Sequence, residues 1–363
     1  MSLALHYNPI IADSRPRVNV EFIGSAPGVG FSLMFDTGSD VSHIFQANVT
    51  AVSLADNMDS YWPLDDADSV AEDVRPAKWM EGYNYVADLE VTDLGRTLHY
   101  GVDGAVRPVA TAMRLREMAN LFSGSTTFMH EIEIHLTTDI DNRATGIGLF
   151  GAARTSHFAE AVGVFAFVGP LAAYTGWPTV RAGSLVVGSV EGLERRCLNE
   201  AGGIRYVPTR PSVSSLHWAV AGSVGLTGGR MAPVDWIVDT GAEGLFVTAE
   251  VLDDVVAGIV GAGAIVQAAE PRQYSRIFNC PSNFEDVFPT ITIRVGADID
   301  VTAFPSDYII VPDDAPGICF LKLGSNGVSG RGNVKLLGIQ SLTKMVTVFD
   351  RRNDRLGFCI ARN

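Results

Sequence analysis

The first half of this 363-residue chain contains no cysteine; Cys197, Cys280, Cys319 and Cys359 all lie beyond its midpoint. No two of them form a Cys-x-x-Cys pair, which removes the common zinc-ribbon and dithiol-redox patterns. An even number confined to one half favours disulfides, in any of three connectivities, with buried free thiols as the alternative. Basic residues are also scarce. Lys and Arg total 27 against 41 Asp and Glu, a formal charge of −14, and no basic cluster offers a surface for nucleic acid. That charge reads most simply as solubility. No apolar run reaches the roughly 18 residues a membrane-spanning helix needs. The opening stretch, Met1 to Ile10, lacks a signal-peptide pattern, which leaves an intracellular protein or a sequence that starts after a removed leader. Missing as well are a Gly-x-Ser-x-Gly elbow and, in the Gly324 to Gly332 loop, the Gly-Lys-Ser/Thr ending of a phosphate loop.

Apolar residues make up 47% of the chain, enough for one large core or two of ordinary domain size. With 37 Gly and 17 Pro breaking many short Val/Ile/Phe-rich runs, the pattern predicts a mainly β protein. Val251 to Ile259 is the best helix candidate in the second half, and Gly183 to Gly188 reads as a strand. The boundary between two lobes is expected near residue 185, giving domains 1–185 and 186–363. The segment from Trp62 to Pro76 carries Asp65, Asp66, Asp68, Glu72 and Asp73. It reads as a solvated loop, with a metal or a cationic substrate as the alternative. His130-Glu131-Ile132-Glu133-Ile134-His135 superficially suggests a zinc peptidase, but its histidines are five apart and its alternation is that of a strand. No metal or other cofactor is expected. Asn48-Val49-Thr50 is a single glycosylation sequon.

One pattern occurs twice. Phe31-Ser32-Leu33-Met34-Phe35 runs into Asp36-Thr37-Gly38, and Trp236-Ile237-Val238 runs into Asp239-Thr240-Gly241. Each predicts a buried strand ending in a glycine-containing turn that presents a carboxylate from a rigid base. Two carboxylates held within hydrogen-bonding distance cannot both ionise easily, so they share a proton and their titrations separate. One then serves as base and the other as acid. A water between them can be deprotonated by the first while the second polarises a scissile carbonyl, with no metal and no covalent intermediate. Thr37 and Thr240 are placed to brace the turns by hydrogen bonds across the pair, and Gly38 and Gly241 to let backbone approach closely.

On these residues the sequence resembles the pepsin-like (A1) family of aspartic peptidases. Phe35-Asp36-Thr37-Gly38-Ser39 is similar to the family's first active-site motif and Val238-Asp239-Thr240-Gly241-Ala242 to its second. Leu336-Leu337-Gly338, Val346-Thr347-Val348-Phe349-Asp350-Arg351 and Leu356-Gly357-Phe358 resemble its closing strands. The resemblance implies a bilobal β fold with the cleft between pseudo-symmetric lobes, Asp36 and Asp239 as catalytic dyad, and an endopeptidase acting on peptide or protein substrates and bound by pepstatin-type inhibitors. It further implies a monomer, a secretory route ending outside the cell or in a lysosome-like or vacuole-like compartment, and a zymogen, although no basic pro-segment is recognisable. It also implies a disulfide between Cys280 and Cys319, which leaves Cys197 with Cys359. A flap carrying a tyrosine is expected from the family. Tyr100-Gly101-Val102-Asp103-Gly104, ahead of Thr145-Gly146-Ile147-Gly148-Leu149, matches it best, with Tyr83 and Tyr85 as competitors.

Several positions depart from the family. His43 stands where the family has a tryptophan that bonds the flap tyrosine, and it adds a group titrating near neutrality. Ala242 removes a hydroxyl, while Asp40 and Glu243 introduce carboxylates. Loss of a donor and added negative charge both raise carboxyl pKa values. The expectation is therefore an optimum less acidic than pepsin's. These departures also keep open a catalytically silent protein that binds peptides or inhibits another enzyme.

Overall fold

Strands dominate the computed structural model, which describes residues 2–8, 13–22, 30–45, 91–100, 107–123, 126–137, 149–169, 181–198, 203–242, 244–267, 275–312, 316–325 and 333–362. The described strands form sheets of thirteen, seven and four members, so the fold is mainly β as the composition predicts. Strands exposed on one face show period-two burial. Ile291, Ile293 and Val295 turn inward along Ile291–Val295, as do Ile299, Val301 and Ala303 along Ile299–Ala303. Strands covered on both faces are buried at every position, as Leu149–Gly151 and Met345–Asp350 are.

The internal repeat extends well beyond its two triplets. In the first half the strand order is Asp13–Phe22, Gly30–Asp36, Leu149–Gly151, Ser42–Phe45, Thr126–Thr137. In the second half it is Ala219–Leu226, Ala232–Val238, Val334–Leu337, Leu245–Phe246, Leu323–Gly324. The pairing directions match too. Each triplet-bearing strand is antiparallel to the strand before it and parallel to a short strand that arrives much later in sequence. That short strand is antiparallel to the strand following the triplet. A short helix then follows in each half, His157–Val162 and Ile339–Leu342.

The halves also share a sheet. Val164–Val168 pairs with Arg181–Val187 on one side and with Met345–Asp350 on the other, Val346 lying opposite Val168 and Asp350 opposite Val164. Beneath it an aromatic cluster joins residues from both halves. Phe165 stacks on Phe349 at 4.7 Å between ring centroids, and Trp218 meets Phe349 edge-on at 5.3 Å. Phe150 and Phe158 extend the cluster towards the strand that carries Phe35. Such pairs contribute about 0.5–1.5 kcal/mol each beyond their area burial.

The helix expected at Val251 to Ile259 spans Ala249–Gly261. Thr248 caps it by accepting from the Val251 N–H, and Val251, Val255 and Ile259 form its buried stripe. The strand expected at Gly183 to Gly188 is Arg181–Val187. His130 to His135 lies within the strand Thr126–Thr137. Cys197 pairs with Cys359 and Cys280 with Cys319, at S–S distances of 1.98 and 2.09 Å. No helix among the described residues is long and apolar enough to cross a membrane.

Candidate active site

Asp36 ends its strand opposite Gly151, and its carbonyl accepts from the Ala152 N–H at 2.7 Å. Asp239 directly follows its own strand, and its N–H donates to the Leu337 carbonyl at 3.1 Å. In both halves, therefore, the parallel partner strand fixes where the turn begins. Each aspartate then folds back on its turn. Asp36 Oδ1 accepts from the Gly38 N–H and Asp239 Oδ1 from the Gly241 N–H, both at 2.7 Å.

The two turns are locked to each other by a reciprocal set of bonds. The Thr37 N–H donates to Thr240 Oγ1, and the Thr240 N–H donates to Thr37 Oγ1, both at 3.0 Å. Each hydroxyl also donates to the strand preceding the other triplet, Thr37 to the Val238 carbonyl at 2.9 Å and Thr240 to the Phe35 carbonyl at 2.6 Å. Both threonines are fully buried. An unmade bond here would leave a buried polar group unsatisfied, at a cost of about 1–3 kcal/mol.

The glycines have a steric task across the pair. A Cβ on Gly38 would lie 2.5 Å from the Asp239 carboxyl carbon, and one on Gly241 would lie 2.5 Å from that of Asp36. Each carboxyl thus rests against the bare backbone of the opposite turn. The two carboxyls hydrogen-bond each other. Burial, followed by the Asp36 charge and that mutual bond, pushes Asp239 well above the ordinary carboxylate range, against the bonds it accepts from Gly241 and Ala242.

The surroundings are less symmetric. Ser39 is buried, and its carbonyl accepts from the Ala153 N–H at 2.8 Å. Ala242 is also buried, its carbonyl accepting from the Ile339 N–H at 2.8 Å, but it offers no hydroxyl. Asp40 is partly buried. His43 lies on Ser42–Phe45, opposite Leu149 and His135. Tyr100 ends the strand Val91–Tyr100, paired with Arg107 at the start of Arg107–Ser123. Gly101, Tyr83, Tyr85, Glu243, residues 145–148, the acidic segment 62–76, the sequon at 48–50 and most of the 324–332 loop lie outside the described residues.

Sequence reasoning missed Ser214–Trp218, which approaches the first turn from the second half. Arg154 Nη1 donates to the Ser215 carbonyl, and Trp218 Nε1 to the Ala152 carbonyl, both at 2.9 Å. The His217 N–H donates to Ser214 Oγ at 3.2 Å, that oxygen lies 2.7 Å from Nδ1, and burial lowers the His217 pKa below its ordinary 6.5 against the opposing charges of Asp40 and then Asp36. The local signal was slight, a His-Trp pair just ahead of an apolar strand.

Residues 198–361 match the model of a family described as eukaryotic aspartyl protease. The match lies in the second half of the chain and supports a pepsin-like aspartic peptidase family. A comparison with curated proteins found no match.

Proposed function

We propose that the chain is an aspartic endopeptidase with Asp36 and Asp239 as its dyad. The observation that carries this reading is the reciprocal Thr37/Thr240 lock, which holds two carboxyls in mutual hydrogen bonding at the meeting of two like turns. A dyad whose second member keeps its proton has the acid and the base that peptide hydrolysis requires. The ionised member takes a proton from a bound water, which attacks the scissile carbonyl, and the protonated member donates to the carbonyl oxygen. The resulting gem-diol collapses as the leaving nitrogen is protonated, and the dyad returns to its starting state.

In this reading residues 1–185 and 186–363 form two lobes around the cleft. Tyr100 and Gly101 belong to a flap over it, with His43 beside them. Ser39 and Ala242 complete the turns. The substrates are extended peptides, the protein is a monomer open to pepstatin-type inhibitors, and its disulfides fit a secretory route.

The test is incubation with an unfolded protein substrate from about pH 3 to about pH 7, with and without pepstatin, alongside the Asp36→Asn variant. Cleavage that pepstatin blocks and the variant lacks is the expected result. A folded sample that cleaves nothing at any of these pH values overturns the enzyme reading and leaves a silent peptide binder.

A further inference from the structure

Besides the threonine lock, a second set of bonds links the two turns, and it runs through Trp218. The indole Nε1 donates to the Ala152 carbonyl at 2.9 Å, and the Ala152 N–H donates to the Asp36 carbonyl at 2.7 Å. In the other direction the Trp218 carbonyl accepts from the Val238 N–H at 2.9 Å, one residue before Asp239. The Val238 carbonyl in turn accepts from the Thr37 hydroxyl at 2.9 Å. These bonds close a circuit from Asp36 through Ala152, Trp218 and Val238 to Thr37. One indole N–H is its link from the second half to the support of the Asp36 turn.

Trp218 is itself held in place. It is fully buried, its ring meets Phe165 at 6.0 Å and Phe349 at 5.3 Å, both edge-on, and the preceding Ser215 and Leu216 carbonyls accept from Arg154 and Thr155. The strap has no counterpart on the other side. Ala219 lies opposite Ile237, two residues before Asp239, as Arg17 lies opposite Met34, two residues before Asp36. The residue corresponding to Trp218 is therefore Pro16, whose ring carries no N–H. The threonine lock is symmetric and acts where the turns meet, so it resists their separation better than their tilt. The strap grips the first half at a separate point, Ala152, and resists tilt. Ala152 is fully buried, so its carbonyl, deprived of the indole, can be satisfied only if the backbone beneath Asp36 moves.

We propose that Trp218 is a positioning residue for the dyad, its indole N–H setting how the Asp36 turn sits against the Asp239 turn. This rests on the endopeptidase reading. Trp218 acts through Ala152 and touches no reacting atom. Without the strap the carboxyls lose their alignment, so the proton they share is held less firmly, and their two titration steps draw together. The active, singly protonated dyad then occupies a narrower range of pH.

The test is Trp218→Phe, which keeps an aromatic ring and removes the N–H, beside a matched control. Trp236 is equally buried and its Nε1 also donates to a carbonyl at 2.9 Å, that of Arg294, but this bond stays within the second half. Both variants should lower the melting temperature. In Trp218→Phe alone, kcat should fall about 10-fold with KM within about twofold, since a small misplacement of the reacting groups is costly and no substrate contact is lost. The basic limb of its kcat/KM profile should move down, and the acid limb up, by about half a unit each. Independently of activity, carboxyl NMR should show the two dyad titrations closer together in Trp218→Phe than in the wild type or in Trp236→Phe. Should Trp218→Phe fail to fold, the benzothiophene analogue of tryptophan at position 218 keeps the fused ring without the N–H and is read in the same way. Titrations that stay as far apart as in the wild type overturn the proposal, as does a Trp236→Phe that draws them together equally. Converging titrations in a protein whose wild type cleaves nothing uphold the positioning role and defeat the endopeptidase reading instead.

Discussion

At the scale of single residues, the raised pKa of Asp239 is also a statement about stability. A carboxyl that holds its proton more tightly folded than unfolded favours folding below its ordinary value of 3.8, and that contribution is lost as pH rises through the folded value. Above that ordinary value the raised pKa counts against folding, because the carboxyl ionises freely in the unfolded chain and is resisted by burial and the Asp36 charge in the folded one. Asp239→Asn should raise the melting temperature at pH 7, by about 2–4 °C per kcal/mol relieved, and the gain should shrink towards pH 3. Scanning calorimetry at the two pH values checks this, and a gain independent of pH would contradict it. Gly38→Ala should act differently. Its Cβ would displace the Asp239 carboxyl, so kcat/KM should fall by about 10²-fold while stability changes by about 1–3 kcal/mol. The two aspartates were legible because each announces itself within five residues. The bond from Trp218 to the Ala152 carbonyl was not, because nothing local to Ser214–Trp218 encodes a neighbour 66 residues away.

At the scale of elements, the sequence revealed the strands that lead into the triplets but not what stands beside them. Leu149–Gly151 and Val334–Leu337 are each too short to stand out, and each is placed by pairing with a strand about a hundred residues earlier. Alternation was a better guide on Thr126–Thr137, where charged and apolar residues take turns. The disulfide between Cys197 and Cys359 belongs to this scale as well. It fastens the turn after Leu193–Arg196 to the strand Arg355–Ile360 and closes a loop of 162 residues. In the chain-entropy account this contributes about 5 kcal/mol, against about 4 kcal/mol for the 39-residue loop of Cys280 and Cys319. The double variant Cys197→Ala/Cys359→Ala should accordingly lose more stability in chemical denaturation than Cys280→Ala/Cys319→Ala. The opposite ranking would show that native contacts around the second bridge outweigh loop length.

For the whole molecule, the shared sheet determines when the site can exist. Asp36 is made early, yet the strand Met345–Asp350, which pairs with Val164–Val168, comes more than three hundred residues later. At ribosomal speed that interval is on the order of half a minute. During that time the growing chain carries one carboxylate without its counterpart, then two carboxylates without the sheet that brings the halves together. Under the endopeptidase reading proposed above, an activity whose parts are far apart in the message and adjacent only in the finished fold stays silent throughout its own synthesis. Neither the emerging chain nor its neighbours on the same transcript are exposed to it.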